Sequence, residues 1–131
     1  DVVLATTAPA ESELLVLVLE DEAGVRQTLC EQLHQLGYLT LEAENGEQAL
    51  NMLDASPDIG MFISDLMLPG GLSGAEVIGH VRSHYPQLPV LLISGQDLRP
   101  AHNPQLPDVP LLRKPFTRAQ LAQALRKVMV I

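Results

Sequence analysis

The chain has 131 residues, enough for one hydrophobic core and too few for two stable ones. Its 16 acidic against 8 basic residues give a formal charge of −8, which opposes the phosphate attraction that carries most nucleic-acid affinity and argues against direct DNA or RNA binding by this segment. No apolar run approaches the roughly 18 residues needed to span a bilayer, and Cys30 is the only cysteine, so an internal disulfide is excluded and a cytoplasmic setting is expected.

Residues 1–13 are rich in Ala, Thr, Ser and Pro and lack both an initiator Met and the basic head and apolar centre of a signal peptide. They read as an interdomain linker, with the folded domain at 14–131. Leu14 to Leu19 is an unbroken aliphatic run, the pattern of a strand buried on both faces. Val25, Leu29, Leu33 and Leu36 then recur at helical spacing, and Gly37 supplies the C-terminal stop. Leu39 to Ala43 predicts a second strand, and Asn45 with Gln48 opens a second helix through Ala49, Leu50 and Leu53.

Ile59 to Ser64 predicts a third strand running into Asp65. After the Gly-rich turn Pro69 to Gly74, a helix carries Val77, Ile78 and Val81. Val90 to Ile93 is a fourth strand ending at Ser94. Between it and a short fifth strand, Leu111 to Lys114, lie Pro100, Pro104, Pro107 and Pro110, and an interior proline costs a helix about 3 kcal/mol. The helix that the alternation calls for there is therefore expected to be short or absent. Thr117 with Gln120 caps a last helix through Leu121, Leu125 and Val128, with Phe116 placed to staple onto Leu121. Strands alternating with helices imply an α/β fold, a doubly wound five-stranded parallel sheet in flavodoxin-like order 2-1-3-4-5 with helices on both faces.

In such sheets ligands sit beyond the carboxyl ends of the strands. Glu20 and Asp21 close the first strand, Asp65 the third, Ser94 the fourth and Lys114 the fifth. Three carboxylates repel one another unless a cation joins them, and hard oxygen donors in a partly hydrated site suit Mg²⁺, with Mn²⁺ the alternative ion. Lys114 and Ser94 offer an ammonium and a hydroxyl for phosphoryl oxygens. The set reads as phosphoryl transfer to a carboxylate.

From Leu14 to Val128 the chain resembles the receiver domain of two-component response regulators. The carrying segments are LVLEDE within LLVLVLEDE, ISDLMLPG at 63–70, LLISG at 91–95 and RKPF at 113–116. The resemblance implies that Asp65 accepts a phosphoryl group from a phosphohistidine and that Asp21, Asp65 and the Met67 backbone carbonyl bind the metal directly. It also implies that Glu20 reaches the metal through water, that Ser94 and Lys114 hold the transferred oxygens, and that the Lys114–Pro115 bond is cis. Three features depart from the family pattern. Glu20 stands where Asp is usual, the loop PGGLSG is one residue longer, and Leu111 replaces the switch aromatic three residues before the lysine.

Other groups receive plainer readings. The pair His80 and His84 lacks a third ligand and reads as a helix flank, His34 and His102 are isolated, and Cys30, Met61 and Met67 read as packing residues. A solvated acidic rim is disfavoured by the lysine and hydroxyl at the same edge. A flavodoxin-like nucleotide binder is disfavoured because no Gly-rich phosphate loop follows the first strand.

The implied partner is a histidine kinase core or a histidine phosphotransfer domain, without membrane contact by this domain. PGGLSG and LLRKPF resemble hybrid sensor histidine kinases. The expected parent is therefore such a kinase within a phosphorelay, with the domain itself a phospho-acceptor rather than an enzyme. The alternative parent is a response regulator whose receiver controls a DNA-binding or enzymatic output module. The proline-interrupted stretch and Leu111 together predict a monomer or weak dimer that serves as a phosphoryl store or as a regulator of its kinase.

Overall fold

The computed structural model describes residues 14–68, 71–95 and 109–129. Among the described residues nine elements follow one another in chain order. They are β1 (Leu15–Leu19), α1 (Ala23–Gln35), β2 (Leu39–Ala43), α2 (Gly46–Ala55), β3 (Ile59–Asp65), α3 (Gly74–His84), β4 (Val90–Ser94), β5 (Leu111–Arg113) and α4 (Arg118–Met129). The strands form one sheet in the order β2-β1-β3-β4-β5, and every pairing is parallel. This is the doubly wound order expected from the alternation of strands and helices. The linker 1–13 and the proline-rich stretch 96–108, with its expected short helix, lie outside the described residues.

The three central strands, β1, β3 and β4, each feed two cores because successive side chains leave opposite faces. On one face Leu17, Leu19, Phe62 and Leu92 pack with Ala49 and Leu53 of α2 and with Val77, Ile78 and Val81 of α3. On the other, Val16, Val18, Met61, Ile63, Leu91 and Ile93 pack with Leu29, Cys30 and Leu33 of α1 and with Leu121 and Leu125 of α4. That two-sided burial is why the central strands are predominantly apolar rather than alternating. Cys30 is a buried core thiol, as expected, and burial pushes its pKa up.

Local signals fix the helix ends. Gly37 takes φ 99° after α1, and its N–H donates to the His34 carbonyl at 3.0 Å. The Gln48 N–H donates to Asn45 Oδ1 at 2.8 Å at the start of α2. At α4 the Gln120 N–H donates to Thr117 Oγ1 and the Thr117 N–H to Gln120 Oε1. A second reciprocal cap, Ser73 with Glu76, opens α3 immediately after the loop that follows Asp65.

The first strand begins one residue later than its aliphatic run. The β1–β3 register shifts between Leu15 and Val16, and Leu14 lies over Gly60, where an added Cβ would come 2.3 Å from Leu14 Cδ1. The fifth strand ends at Arg113 rather than Lys114, although the Lys114 N–H still donates to the Ser94 carbonyl at 2.8 Å.

Candidate functional site

Because β2 lies on one side of β1 and β3 on the other, the chain reverses its direction of sheet growth at the β1–β3 pair. The carboxyl ends of these two strands open the crevice in which ligands of such sheets bind. Glu20 and Asp21 follow β1, Asp65 ends β3, Ser94 ends the neighbouring β4 and Lys114 follows β5. The five side chains singled out in the sequence thus come from four strands to one edge.

Their geometry is specific. The Lys114 ammonium donates to Glu20 Oε1 at 2.9 Å and to Asp65 Oδ2 at 3.0 Å. Asp65 Oδ1 accepts from the Met67 N–H at 3.1 Å, a local turn that orients the carboxylate. Glu20 Oε2 accepts from the Glu22 N–H at 3.2 Å. Glu20, Asp65 and Ser94 are buried, whereas Lys114 stays partly exposed, so its amphipathic stem reaches inward from the rim. The Lys114–Pro115 bond is cis, as the resemblance implied.

Burying two carboxylates against one ammonium leaves an excess of negative charge, and the site responds. The Glu20 carboxyl is raised from 4.5 to about 7, first by burial and then by the neighbouring Asp65, against the opposing bonds from Lys114 and the Glu22 N–H. Burial alone would lower the Lys114 pKa, but its bonds to Glu20 and Asp65 outweigh that and raise it.

Glu20, Asp21 and Asp65 can each offer an oxygen, with these atoms within 4.8 Å of one another. The donor set is all hard oxygen, without sulfur or imidazole, and fits Mg²⁺ or Mn²⁺ rather than a softer metal. Among the described residues it is the one group of three or more acidic, His or Cys side chains so arranged. His80 and His84 instead stack on the exposed flank of α3, centroids 4.0 Å apart. His34 bonds Thr40 Oγ1 through Nε2 at 2.8 Å, and His102 lies outside the described residues.

Met61 is a core residue, but the Met67 side chain is 50% exposed and is no packing residue. It sits in the turn past β3, where its N–H, rather than its side chain, is engaged. Leu111, in the place of the switch aromatic, is 37% exposed.

Two further residues shape this edge. Gly74, at the start of α3, approaches the β3 end so closely that an added Cβ would lie 2.4 Å from the Asp65 carbonyl oxygen and 2.7 Å from Leu66 Cα. Arg26 of α1 donates through Nη1 to the Glu20 carbonyl at 2.7 Å and through Nε to Glu42 Oε1 at 3.0 Å. Neither carries a readable sequence signal. A glycine in a Gly-rich turn resembles any turn glycine, and an arginine on a helix resembles a surface charge.

The family model of the response regulator receiver domain matches residues 16–126. The chain belongs to this family. It is 32% identical over 118 residues to the phosphate regulon transcriptional regulatory protein PhoB of Escherichia coli (strain K12), a match that covers 87% of this chain and 51% of the relative. It is 32% identical over 84 residues to a cyclic di-GMP phosphodiesterase of Thermotoga maritima, covering 64% of this chain and 22% of that protein. The receiver chain thus spans about half the length of the PhoB relatives it matches, and less of the phosphodiesterase. Among solved structures it is similar to the chemotaxis protein CheY4 of Vibrio cholerae, with TM-score 0.79 and 26% identity over 89% of this chain and 99% of that one. A response regulator receiver protein from Pseudomonas putida matches with TM-score 0.76 and 28% identity over 88% of this chain and 97% of that one. The chain is therefore a receiver domain of a two-component system. Among the described residues no helix is long and apolar enough to cross a membrane.

Proposed function

We propose that this receiver takes a phosphoryl group from a phosphohistidine onto Asp65, with Glu20, Asp21, Asp65 and the Met67 carbonyl serving a divalent ion, Mg²⁺ or Mn²⁺. The observation that carries the reading is the Lys114 ammonium hydrogen-bonded to Asp65 and Glu20, two of the three converging carboxylates. A carboxylate oxygen of Asp65 attacks phosphorus. The P–N bond of the phosphohistidine breaks, its electron pair stays on the imidazole nitrogen, and that nitrogen takes up a proton. Lys114 passes from the Asp65 carboxylate to the oxygens of the transferred group, and the Ser94 hydroxyl contributes a donor from the end of β4. The Met67 N–H holds Asp65 in place through the exchange. When bound, the ion supplies positive charge that offsets the repulsion between phosphoryl oxygens and carboxylates.

The test is incubation with acetyl phosphate with and without Mg²⁺. Expected is one metal-dependent, hydroxylamine-labile phosphoryl group, and borohydride reduction should convert residue 65 to homoserine. A stable label at another residue sinks the assignment.

The raised Glu20 pKa sets a pH dependence. Its folded value, about 7, lies above the ordinary 4.5, so Glu20 favours the metal-free fold most below about pH 4.5, and this contribution is lost as pH rises through about 7. An entering cation must displace that proton. Mg²⁺ affinity is therefore expected to rise about tenfold from pH 6 to pH 8 by calorimetric titration, and Glu20→Gln should flatten the profile.

For the whole protein, the segments PGGLSG and LLRKPF support a hybrid histidine kinase, with a kinase core or histidine phosphotransfer domain as phosphodonor and a cytoplasmic setting. The names of the relatives favour the second reading, a regulator in which the receiver controls an output module. The complete sequence of the parent decides between them.

A further inference from the structure

The Arg26 side chain is only 12% exposed, although its ion partner Glu42 on β2 is 52% exposed. An ion pair so open on one side contributes little, typically about 0–1 kcal/mol, so the pair alone does not account for an arginine drawn inward. Its other bond does. The β1–β2 ladder closes with Leu19 opposite Ala43 and a last rung from the Glu20 N–H to the Ala43 carbonyl at 3.1 Å. Beyond that rung strand pairing stops, and the Glu20 carbonyl is taken by Arg26 Nη1 at 2.7 Å. That carbonyl belongs to the peptide group joining Glu20 to Asp21, so its orientation sets the direction in which both side chains leave the backbone.

We propose that Arg26 is a positioning residue for the cation site: its guanidinium, clamped by Glu42, extends the strand ladder by one bond and fixes the Glu20–Asp21 peptide so that both carboxylates meet Asp65. The proposal rests on the reading that these three carboxylates hold a divalent ion. A planar fork suits the task, because Nε and Nη1 sit in one rigid plane and address two acceptors at once, whereas a lysine ammonium is a single mobile point. Charge and position predict opposite signs here. A cation beside the site opposes a second cation, so removing Arg26 should tighten ion binding if its charge matters most and weaken it if its geometry does.

The experiment titrates Mn²⁺ with free ion counted by electron paramagnetic resonance, followed by competition with Mg²⁺. Wild type, Arg26→Met, Arg26→Lys and Glu42→Gln are compared, with affinity corrected for the folded fraction from circular dichroism. Arg26→Met should weaken binding of both ions about tenfold or more, as loss of a group that orients a metal ligand does. Arg26→Lys should recover part of the loss, and Glu42→Gln, which keeps the bond to Glu20 but loosens the clamp, should fall between wild type and Met. Unchanged or tighter binding in Arg26→Met overturns the proposal, as does a loss that disappears once the folded fraction is accounted for. If Arg26→Met does not fold, wild-type affinity in both Arg26→Lys and Glu42→Gln overturns it. A wild-type chain that binds neither ion overturns the cation-site reading itself, and this inference with it.

Discussion

In Asp65→Asn, phosphoryl labelling from acetyl phosphate is expected to fall on the order of 10³-fold or more while the domain stays folded. Asn has nearly the same shape, so the turn to the Met67 N–H can persist with the amide oxygen as acceptor. What disappears is the anion proposed as the nucleophile, which is also one of the two carboxylates that hold Lys114. Stability should change little, because losing a Lys114 partner is offset by relief of the repulsion between Asp65 and Glu20. A melting temperature within roughly 5 °C of wild type is expected. The Glu20 pKa should fall from about 7 but remain raised, since burial, the largest cause of its shift, is untouched. Labelling of the variant at a wild-type rate, measured by phosphate-affinity gel or mass spectrometry, would place the acceptor elsewhere.

The second large effect lies at Gly74. An added Cβ would stand 2.4 Å from the Asp65 carbonyl oxygen, 2.6 Å from the Leu66 carbonyl oxygen and 2.7 Å from Leu66 Cα. All three are backbone atoms, so no side-chain rotation relieves the overlap. Gly74 also donates to the Leu66 carbonyl at 3.2 Å, and Leu66 donates to the Ile93 carbonyl at 2.8 Å, so the backbone that an added Cβ would meet is anchored to β4. Gly74→Ala should therefore cost about 1–3 kcal/mol, a melting temperature lower by roughly 5–15 °C, and should reduce labelling by displacing Asp65. Gly79 on the same helix is the control. It is exposed and an added Cβ meets nothing within 4 Å, so Gly79→Ala should gain about 0.5–1 kcal/mol. Equal melting temperatures for the two variants, by calorimetry, would contradict the close approach at Gly74.

The contrast between these glycines shows what the sequence could and could not reveal. Strands buried on both faces announce themselves as aliphatic runs, so Leu15–Leu19, Ile59–Asp65 and Val90–Ser94 were legible to within a residue. Helix starts at Asn45 and Thr117 were legible because a cap is a local interaction between residues three apart. Once the strand order was fixed, Glu20, Asp21, Asp65, Ser94 and Lys114 had to share an edge. The approach of Gly74 to Asp65 and the grip of Arg26 on Glu20 depend on how a loop and a helix settle against strand ends. That depends on atomic fit, which spacing does not encode. Likewise, the half-exposed Met67 reads as an apolar packing residue until the turn that uses its N–H is seen.

One ammonium shared between Glu20 and Asp65 has a thermodynamic consequence. Any group that draws Lys114 away, such as an incoming phosphoryl oxygen, removes positive charge from the carboxylates and raises their affinity for a divalent ion. A bound ion must then weaken the hold of those carboxylates on Lys114 by the same factor, because the coupling between two equilibria is reciprocal. Under the proposed function, occupancy by the ion and readiness of the lysine to meet a phosphoryl group are thus two coupled equilibria, and the Lys114 ion pair is a reversible lock that each of them would open for the other.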